Sequence, residues 1–322
     1  MHAAIYEQNG SSDVLEVSEV ERPEPGPGEV RVRVRWSGVN PTDWKSRAGL
    51  TAGAPRGWQI PNQDGSGHID AVGPGVDAAR VGEAVWLYLA ATGRRWGTAA
   101  EWTVVPAEHA VPLPEGVSLE MGAMLGVPAI TAYHCCHASG PIRGANVLVA
   151  GGAGAVGHFA IELARFGGAR VATTVSSAEK ADLARLAGAD LVVNYREADA
   201  VTRLGAFAPR FDRIVEVALG ANFDLDLALS GPGTVIVTYA SEADDPILPV
   251  RRCMSANVTL QFVLLYNIGA AALQAATESV NAALAAGALS ELPVHSFRLD
   301  DIAAAHDAVQ RGITGKVLVD LG

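Results

Sequence analysis

Residues 147–157 read VLVAGGAGAVG: a short apolar run, a glycine-rich turn, and the start of the segment VGHFAIELARFG. The apolar run predicts a buried strand, and the apolar spacing after the turn predicts a helix. Gly152, Gly154 and Gly157 have the G-x-G-x-x-G spacing between the two. Such a turn lets backbone N–H groups approach a pyrophosphate at a helix N-terminus, where the helix dipole favours negative charge and a side chain would collide. Dinucleotide binding is the function this stretch points to.

Reading outward, the alternation continues. RVATTV, the helix AEKADLARLAG and LVVNY follow, then FDRIVEV, the helix LDLAL, GTVIVTY and the strand VTLQFVLL. This is the pattern of parallel βαβ units, hence of a Rossmann-type doubly wound sheet. The second strand bears on the choice of dinucleotide. An NAD site places Asp or Glu about 20 residues after the first glycine, whereas residues 172–177 read Ala-Thr-Thr-Val-Ser-Ser. Ser176, Ser177 and Lys180 offer hydroxyls and a positive charge, which suit the 2′-phosphate of NADPH. Glu179 dissents from that set and is assigned to its helix N-terminus.

Before residue 121 the chain is mainly β, with runs such as VRVRV, AVWLY and AEWTVV between Gly and Pro clusters. The expected domains are 1–121, 122–264 and 265–322, the last returning to the first because its terminal strand KVLVDL needs a β neighbour. The composition agrees with a folded enzyme: 49% hydrophobic and 18% charged residues exclude the disordered class. A net charge of −11 disfavours nucleic acid as a partner. Three cysteines, Cys135, Cys136 and Cys253, make neither a disulfide framework nor a structural zinc cluster. The opening MHAAIYEQNG has no signal-peptide pattern, and Val258–Ala276 is interrupted by Gln261, Asn267 and Gly269. A cytoplasmic protein without membrane partners is expected.

Five stretches together resemble one family: RPEPGPGEVRVRVRWSGVNPTDWKSRAG, QDGSGHIDAVGPGV, GTAAEWTVVPAEHAVPLPEGVSLEMGAMLGVPAITAYH, AGGAGAVG and TGKVLVDL. The chain resembles, over nearly its whole length, the zinc-free quinone oxidoreductase branch of the medium-chain dehydrogenase/reductase superfamily, the group that includes ζ-crystallin. The resemblance implies a GroES-like catalytic domain beside the Rossmann domain. It also implies that Asn40 and Gln63 stand where zinc alcohol dehydrogenases carry a cysteine and a histidine ligand, so no metal is expected.

Residue by residue, the resemblance places Asn40 beside nicotinamide and substrate, and Thr131 near the nicotinamide mononucleotide. Ala153, Gly154, Ala155 and Val156 would offer backbone to the pyrophosphate, and Ser176, Lys180 and Tyr195 would surround the 2′-phosphate. Val217, Tyr239, Ala240, Phe262, Val263 and Leu264 would approach the nicotinamide from the carboxyl edge of the sheet. Lys316 is a further cofactor candidate, although a solvated strand start is the stronger reading of it. Asp43 and Tyr88 are the acid–base candidates, with Asp43 alternatively a helix cap and water alternatively the proton source.

His134-Cys135-Cys136-His137 are consecutive helical residues about 100° apart and cannot converge on one ion. Trp44, Trp58 and Trp96 are read either as an aromatic substrate wall or as core. The expected activity is NADPH-dependent reduction of a quinone or related conjugated carbonyl. Reduction of a carbon–carbon double bond in an enone or enoyl thioester is the alternative, and an NADPH-binding protein with little turnover is the alternative of another class. A homodimer through the apolar edge strand VTLQFVLL is also expected.

Overall fold

The computed structural model describes residues 1–241 and 245–322. Its elements begin with β1 (His2–Ile5) and β2 (Glu16–Glu19), an antiparallel pair, followed by the long β3 (Glu29–Val39) and α1 (Pro41–Arg47). Then come β4 (Asp64–Val72), β5 (Ala84–Leu87), β6 (Trp102–Pro106), β7 (Ala110–Pro112) and the helix α2 (Leu119–His137). The next stretch alternates: β8 (Asn146–Ala150), α3 (Ala155–Phe166), β9 (Arg170–Val175), α4 (Ala178–Leu186), β10 (Leu191–Asn194), α5 (Ala200–Phe207) and β11 (Arg213–Glu216). It continues with α6 (Leu219–Ala228), β12 (Val235–Thr238), α7 (Val250–Ala256), β13 (Thr259–Phe262) and α8 (Ala270–Ala285). The chain closes on β14 (Val294–Arg298), α9 (Ile302–Gln310) and β15 (Lys316–Asp320).

Contacts divide these elements into two units, Met1–Val127 with Glu291–Gly322, and Pro128–Ser290. In the second, six parallel strands take the order β10-β9-β8-β11-β12-β13, the order of a Rossmann sheet with its switch point at β8. Val147, Leu148 and Val149 are all buried, as expected for a strand covered on both faces. α8 packs against α3, and the Ser290 amide donates to Glu162 on α3 at 3.0 Å. The helix therefore belongs with this sheet, and the return begins at Glu291, not at residue 265. Helical periodicity alone cannot say which sheet a helix covers.

In the first unit, seven strands form one sheet, with β14-β15-β3-β4-β5-β7 in order and β6 pairing β3. The tail supplies its β neighbour as expected: β15 runs antiparallel to β3 with Val317 opposite Val39. α9 lies against α1 and β15, and Ile302, Ala305 and Ala308 enter a core containing Ala3, Tyr6, Val39 and Val319. Trp58 and Trp96 meet edge to face at 5.2 Å and pack on this same core. The two indoles therefore have a packing role.

VTLQFVLL is only partly a strand. β13 stops at Phe262, and Leu265–Asn267 forms a single 3-10 turn. Among the described residues no helix is long and apolar enough to cross a membrane.

Candidate active site

The glycine turn leaves β8 with Gly151 at φ +71°, a left-handed conformation that favours glycine. The amides of Gly151 and Gly152 both donate to the Thr174 carbonyl at 3.1 Å. A Cβ on Gly152 would stand 2.1 Å from Thr173 Oγ1, and one on Gly157 2.3 Å from the Gly151 carbonyl. These two glycines thus let the chain close on itself. Gly154 differs, because it is exposed and an added Cβ would meet only the Gly151 carbonyl, at 3.4 Å. It is the N-cap of α3, so the amides of Ala155, Val156 and Gly157 have no intrahelical acceptor. Ala153 is buried beneath the turn, and the Val217 Cγ1 lies 3.3 Å from where a Gly151 Cβ would stand. An open face of unpaired amides at the positive end of a helix fits a dinucleotide pyrophosphate.

The end of β9 carries the second cluster. Ser177 Oγ accepts the Lys180 amide at 3.3 Å and starts α4. The Tyr195 amide donates to the Val175 carbonyl at 3.1 Å, which brings the turn after β10 beside the end of β9. Arg196 Nη1 donates to the Ser176 carbonyl at 3.3 Å, with its guanidinium 5.7 Å from the Tyr195 ring centroid. Ser176, Lys180 and Tyr195 are therefore neighbours along two adjoining turns. Arg196 joins them, and sequence reasoning overlooked it. Its only signal there was its place after Tyr195 in VVNYRE.

Tyr239, Ala240, Phe262, Val263 and Leu264 line one cleft of about 560 Å³, joined by His134 and Asn267. Phe262 and Leu264 are 67% and 55% exposed, an unusual position for large apolar side chains and one that a flat ring would cover. Thr131, one turn before His134 on α2, is buried. His137 stacks on Tyr133 at 4.3 Å, while the Cys135 and Cys136 carbonyls accept from Arg213. His134 lies on the cleft, His137 on Tyr133, and the Cys136 Sγ donates to the Ala160 carbonyl at 3.8 Å, so these side chains do not converge.

In the first unit, Asn40, Asp64 and Lys316 form a buried polar cluster. Lys316 Nζ donates to Asn40 Oδ1 at 2.7 Å and lies 3.5 Å from Asp64 Oδ2. Asn40 Nδ2 donates to Asp64 Oδ2 at 2.6 Å, and the Val127 amide donates to Asp64 Oδ1 at 2.8 Å. Burial pushes the Asp64 carboxyl above its usual range, against the pull of Lys316. Burial likewise lowers Lys316, opposed by the two aspartates. The solvated reading of Lys316 is corrected: it is 2% exposed and takes its partners from the N-cap of α1 and from β4.

Two relatives and one solved structure place these features. A 260-residue alignment is 31% identical to a chloroplastic quinone-oxidoreductase homolog of Spinacia oleracea, covering 74% of this chain and 78% of that protein. The quinone oxidoreductase of Homo sapiens is 28% identical over 99% of this chain and 97% of its own. The family model for the alcohol dehydrogenase GroES-like domain matches residues 26–115, and that for zinc-binding dehydrogenase matches residues 155–282. A mycobacterial protein solved in complex with NADPH superposes with a TM-score of 0.85 at 28% identity, covering all of both chains. The chain belongs to the quinone oxidoreductase branch of the medium-chain dehydrogenase/reductase superfamily. It is an oxidoreductase, with a GroES-like domain and a dinucleotide-binding Rossmann domain.

Within this superfamily member, two expected acid–base residues are otherwise engaged. Asp43 Oδ2 accepts the Asn40 amide at 2.7 Å and Oδ1 the Gln63 amide at 3.1 Å. The carboxylate therefore caps α1 and ties it to the residue before β4, which is the alternative reading of Asp43. Burial, then the neighbouring Asp64, pushes its pKa up to about 8. Tyr88 is buried, its hydroxyl donates to the Glu108 carbonyl at 3.2 Å, and its ring packs 4.5 Å from that of His109. Burial pushes this phenol up to about 12. Proton delivery by Tyr88 is not met by this geometry, because the hydroxyl proton already has an acceptor.

Proposed function

We propose that this oxidoreductase uses NADPH to reduce a quinone or a related conjugated carbonyl. The reading rests on the constellation at the end of β9. Ser176, Lys180, Tyr195 and Arg196 gather hydroxyls, two cations and an aromatic face, and no carboxylate stands in residues 172–177. A 2′-phosphate pairs with such a set, whereas a 2′-hydroxyl gains little from the charges.

A bound nicotinamide dinucleotide supplies the hydride, and the carbonyl acceptor takes that hydride and one proton to become the hydroquinone or alcohol. The protein's part is binding and orientation. The amides of Ala155 and Val156 would hold the pyrophosphate, and Phe262, Leu264 and Tyr239 would seat the flat rings against their cleft. Asn40 Nδ2 carries two protons and Asp64 takes one, so the second is the donor assigned to the substrate oxygen. Lys316 on Oδ1 polarises the amide and strengthens that donor. The group at this position is an amide held by a carboxylate and an ammonium, a donor set suited to orienting a carbonyl rather than to ligating zinc. The proton comes from water.

A donor at the carbonyl oxygen serves an enone equally, with hydride going to the β-carbon, so carbon–carbon double-bond reduction is the second reading. β13 is the edge strand of its sheet. Edge pairing with a second copy would cover it, and gel filtration at twice the 33.3 kDa chain mass is the expected result.

The deciding experiment follows loss of reduced-nicotinamide absorbance with NADPH or NADH, offering p-benzoquinone, phenanthrenequinone and hexenal in parallel. NADPH-selective turnover of the quinones is expected. Preference for hexenal selects the second reading, equal use of NADH overturns the 2′-phosphate assignment, and binding without turnover of any acceptor overturns the quinone reading, leaving a binding protein or an acceptor outside this panel.

A further inference from the structure

Arg47 ends α1 and is 1% exposed. Among the described residues its Nε and Nη1 have no hydrogen-bond partner. A guanidinium keeps its charge at physiological pH, and a buried donor without an acceptor is costly. Arg47 is one of the residues around a cleft of about 600 Å³ between the end of α1, residues 10–12 and the last turn of α9. Ser11, Ser12, Gln310 and Arg311 contribute donors to the lining, and Asp307 contributes one carboxylate. Ser11 Oγ is 3.1 Å from Asp13. Burial lowers the affinity of Arg47 for its proton, opposed through space by Asp307, Tyr6 and Asp13.

Two features separate this cleft from an ordinary packing defect. Its charged residues are two arginines and Asp307, with Asp13 close enough to act on Arg47, a locally balanced patch on a chain of net charge −11. Its volume is that of a small-molecule site rather than of a single trapped water. It also stands at the far end of α1 from Asn40, about 10 Å along a seven-residue helix, and shares no residue with the cluster around Lys316.

We infer that this cleft is a binding site for a small organic or inorganic oxyanion, a carboxylate or a phosphate, which supplies the acceptor that the buried Arg47 lacks. Arg311 at the exposed rim adds a second positive charge, and Asp307 limits the site to ligands of low charge. A water-filled cleft would satisfy the same N–H groups without selecting for an anion.

Calorimetric titration of the full-length protein with phosphate, acetate and butyrate, at constant ionic strength set with chloride, separates the two. Saturable binding of at least one anion is expected, about fivefold weaker in Arg311→Gln and about fivefold tighter in Asp307→Asn. Both substitutions lie at accessible positions and leave the core intact. Arg47→Met should abolish binding while keeping a cooperative melt; if it does not fold, the opposed shifts of the two rim variants decide. Phosphate binding without carboxylate binding, or the reverse, identifies the ligand class. No saturable heat with any of the three, or affinities unchanged by both rim substitutions, overturns the site.

Discussion

Lys316 Nζ lies 2.7 Å from Asn40 Oδ1, so the first residue of the last strand places a buried ammonium against the residue that opens α1. The same ammonium is the counter-charge of Asp64, whose carboxylate is fully buried. Removing it with Lys316→Met strands that carboxylate, and breaking a buried pair in this way costs about 3–5 kcal/mol. Urea unfolding should show that loss. Adding Asp64→Asn removes the uncompensated charge, so the double variant should recover more than about 1 kcal/mol relative to the sum of the single losses. Strict additivity would mean that Lys316 and Asp64 are not coupled.

Arg196 is bonded to the Ser176 carbonyl and lies over Tyr195. On the 2′-phosphate reading, Arg196→Ser removes a charge-assisted contact of about 1.5–3 kcal/mol. The KM for NADPH should rise at least tenfold, with kcat and the KM for NADH nearly unchanged. A matched rise for both dinucleotides would show that Arg196 only supports the turn.

The contrast between Asp64 and the glycine turn explains what the sequence discloses. Gly152, Gly154 and Gly157 lie within six residues, and their meaning is local: a strand, a turn and a helix that follow one another. The return of the tail was also legible, because KVLVDL is an apolar strand that requires a neighbour, and it finds β3. The burial of Lys316 was not. Its partner Asn40 is 276 positions away, and no local pattern distinguishes a lysine that starts an exposed strand from one that ends in a carboxylate–amide cluster. The engagement of Tyr88 and Asp43 was hidden for a similar reason, since the Glu108 carbonyl and the Gln63 amide reach them only through tertiary structure. Arg196 went unread because motif spacing led to Tyr195 and stopped there.

The glycines can be separated by substitution. Gly152→Ala forces a Cβ to within 2.1 Å of Thr173 Oγ1, and overpacking of that kind costs about 1–3 kcal/mol. Gly154→Ala meets only a 3.4 Å contact, at an ordinary φ of −78°, so the thermal midpoint should stay near that of the parent. Its added methyl does, however, stand on the open face of the turn. The expected result is a stable protein with about tenfold weaker dinucleotide binding by fluorescence titration, a loss of about 1.4 kcal/mol. Unchanged binding in Gly154→Ala would place the pyrophosphate elsewhere.

His306 provides a test by pH. It is fully buried on α9, with Nε2 3.0 Å from Asn62 Oδ1. The Asn62 amide nitrogen donates to Ser37, which meets Thr98, which in turn donates to the Asp64 carbonyl at 2.5 Å. Since Asn62 Oδ1 is an acceptor, the imidazole carries a proton on Nε2, and its burial beside the charge of Arg47 keeps it neutral. Burial, then the charge of Arg47, pushes its pKa down to about 3 from 6.5. The unfolded chain therefore binds the extra proton first, and the stability that the neutral ring contributes is present above about pH 6.5 and is lost as pH falls towards 3. Between pH 7 and pH 5 the loss should be about 2 kcal/mol. Asp43, raised to about 8, acts in the opposite direction over that range, so the measurement must be a difference. His306→Gln keeps a donor for Asn62 but cannot titrate. Urea denaturation of both proteins at pH 7 and pH 5 should show the parent losing about 2 kcal/mol more than the variant, and equal losses would place the acid-sensitive group elsewhere.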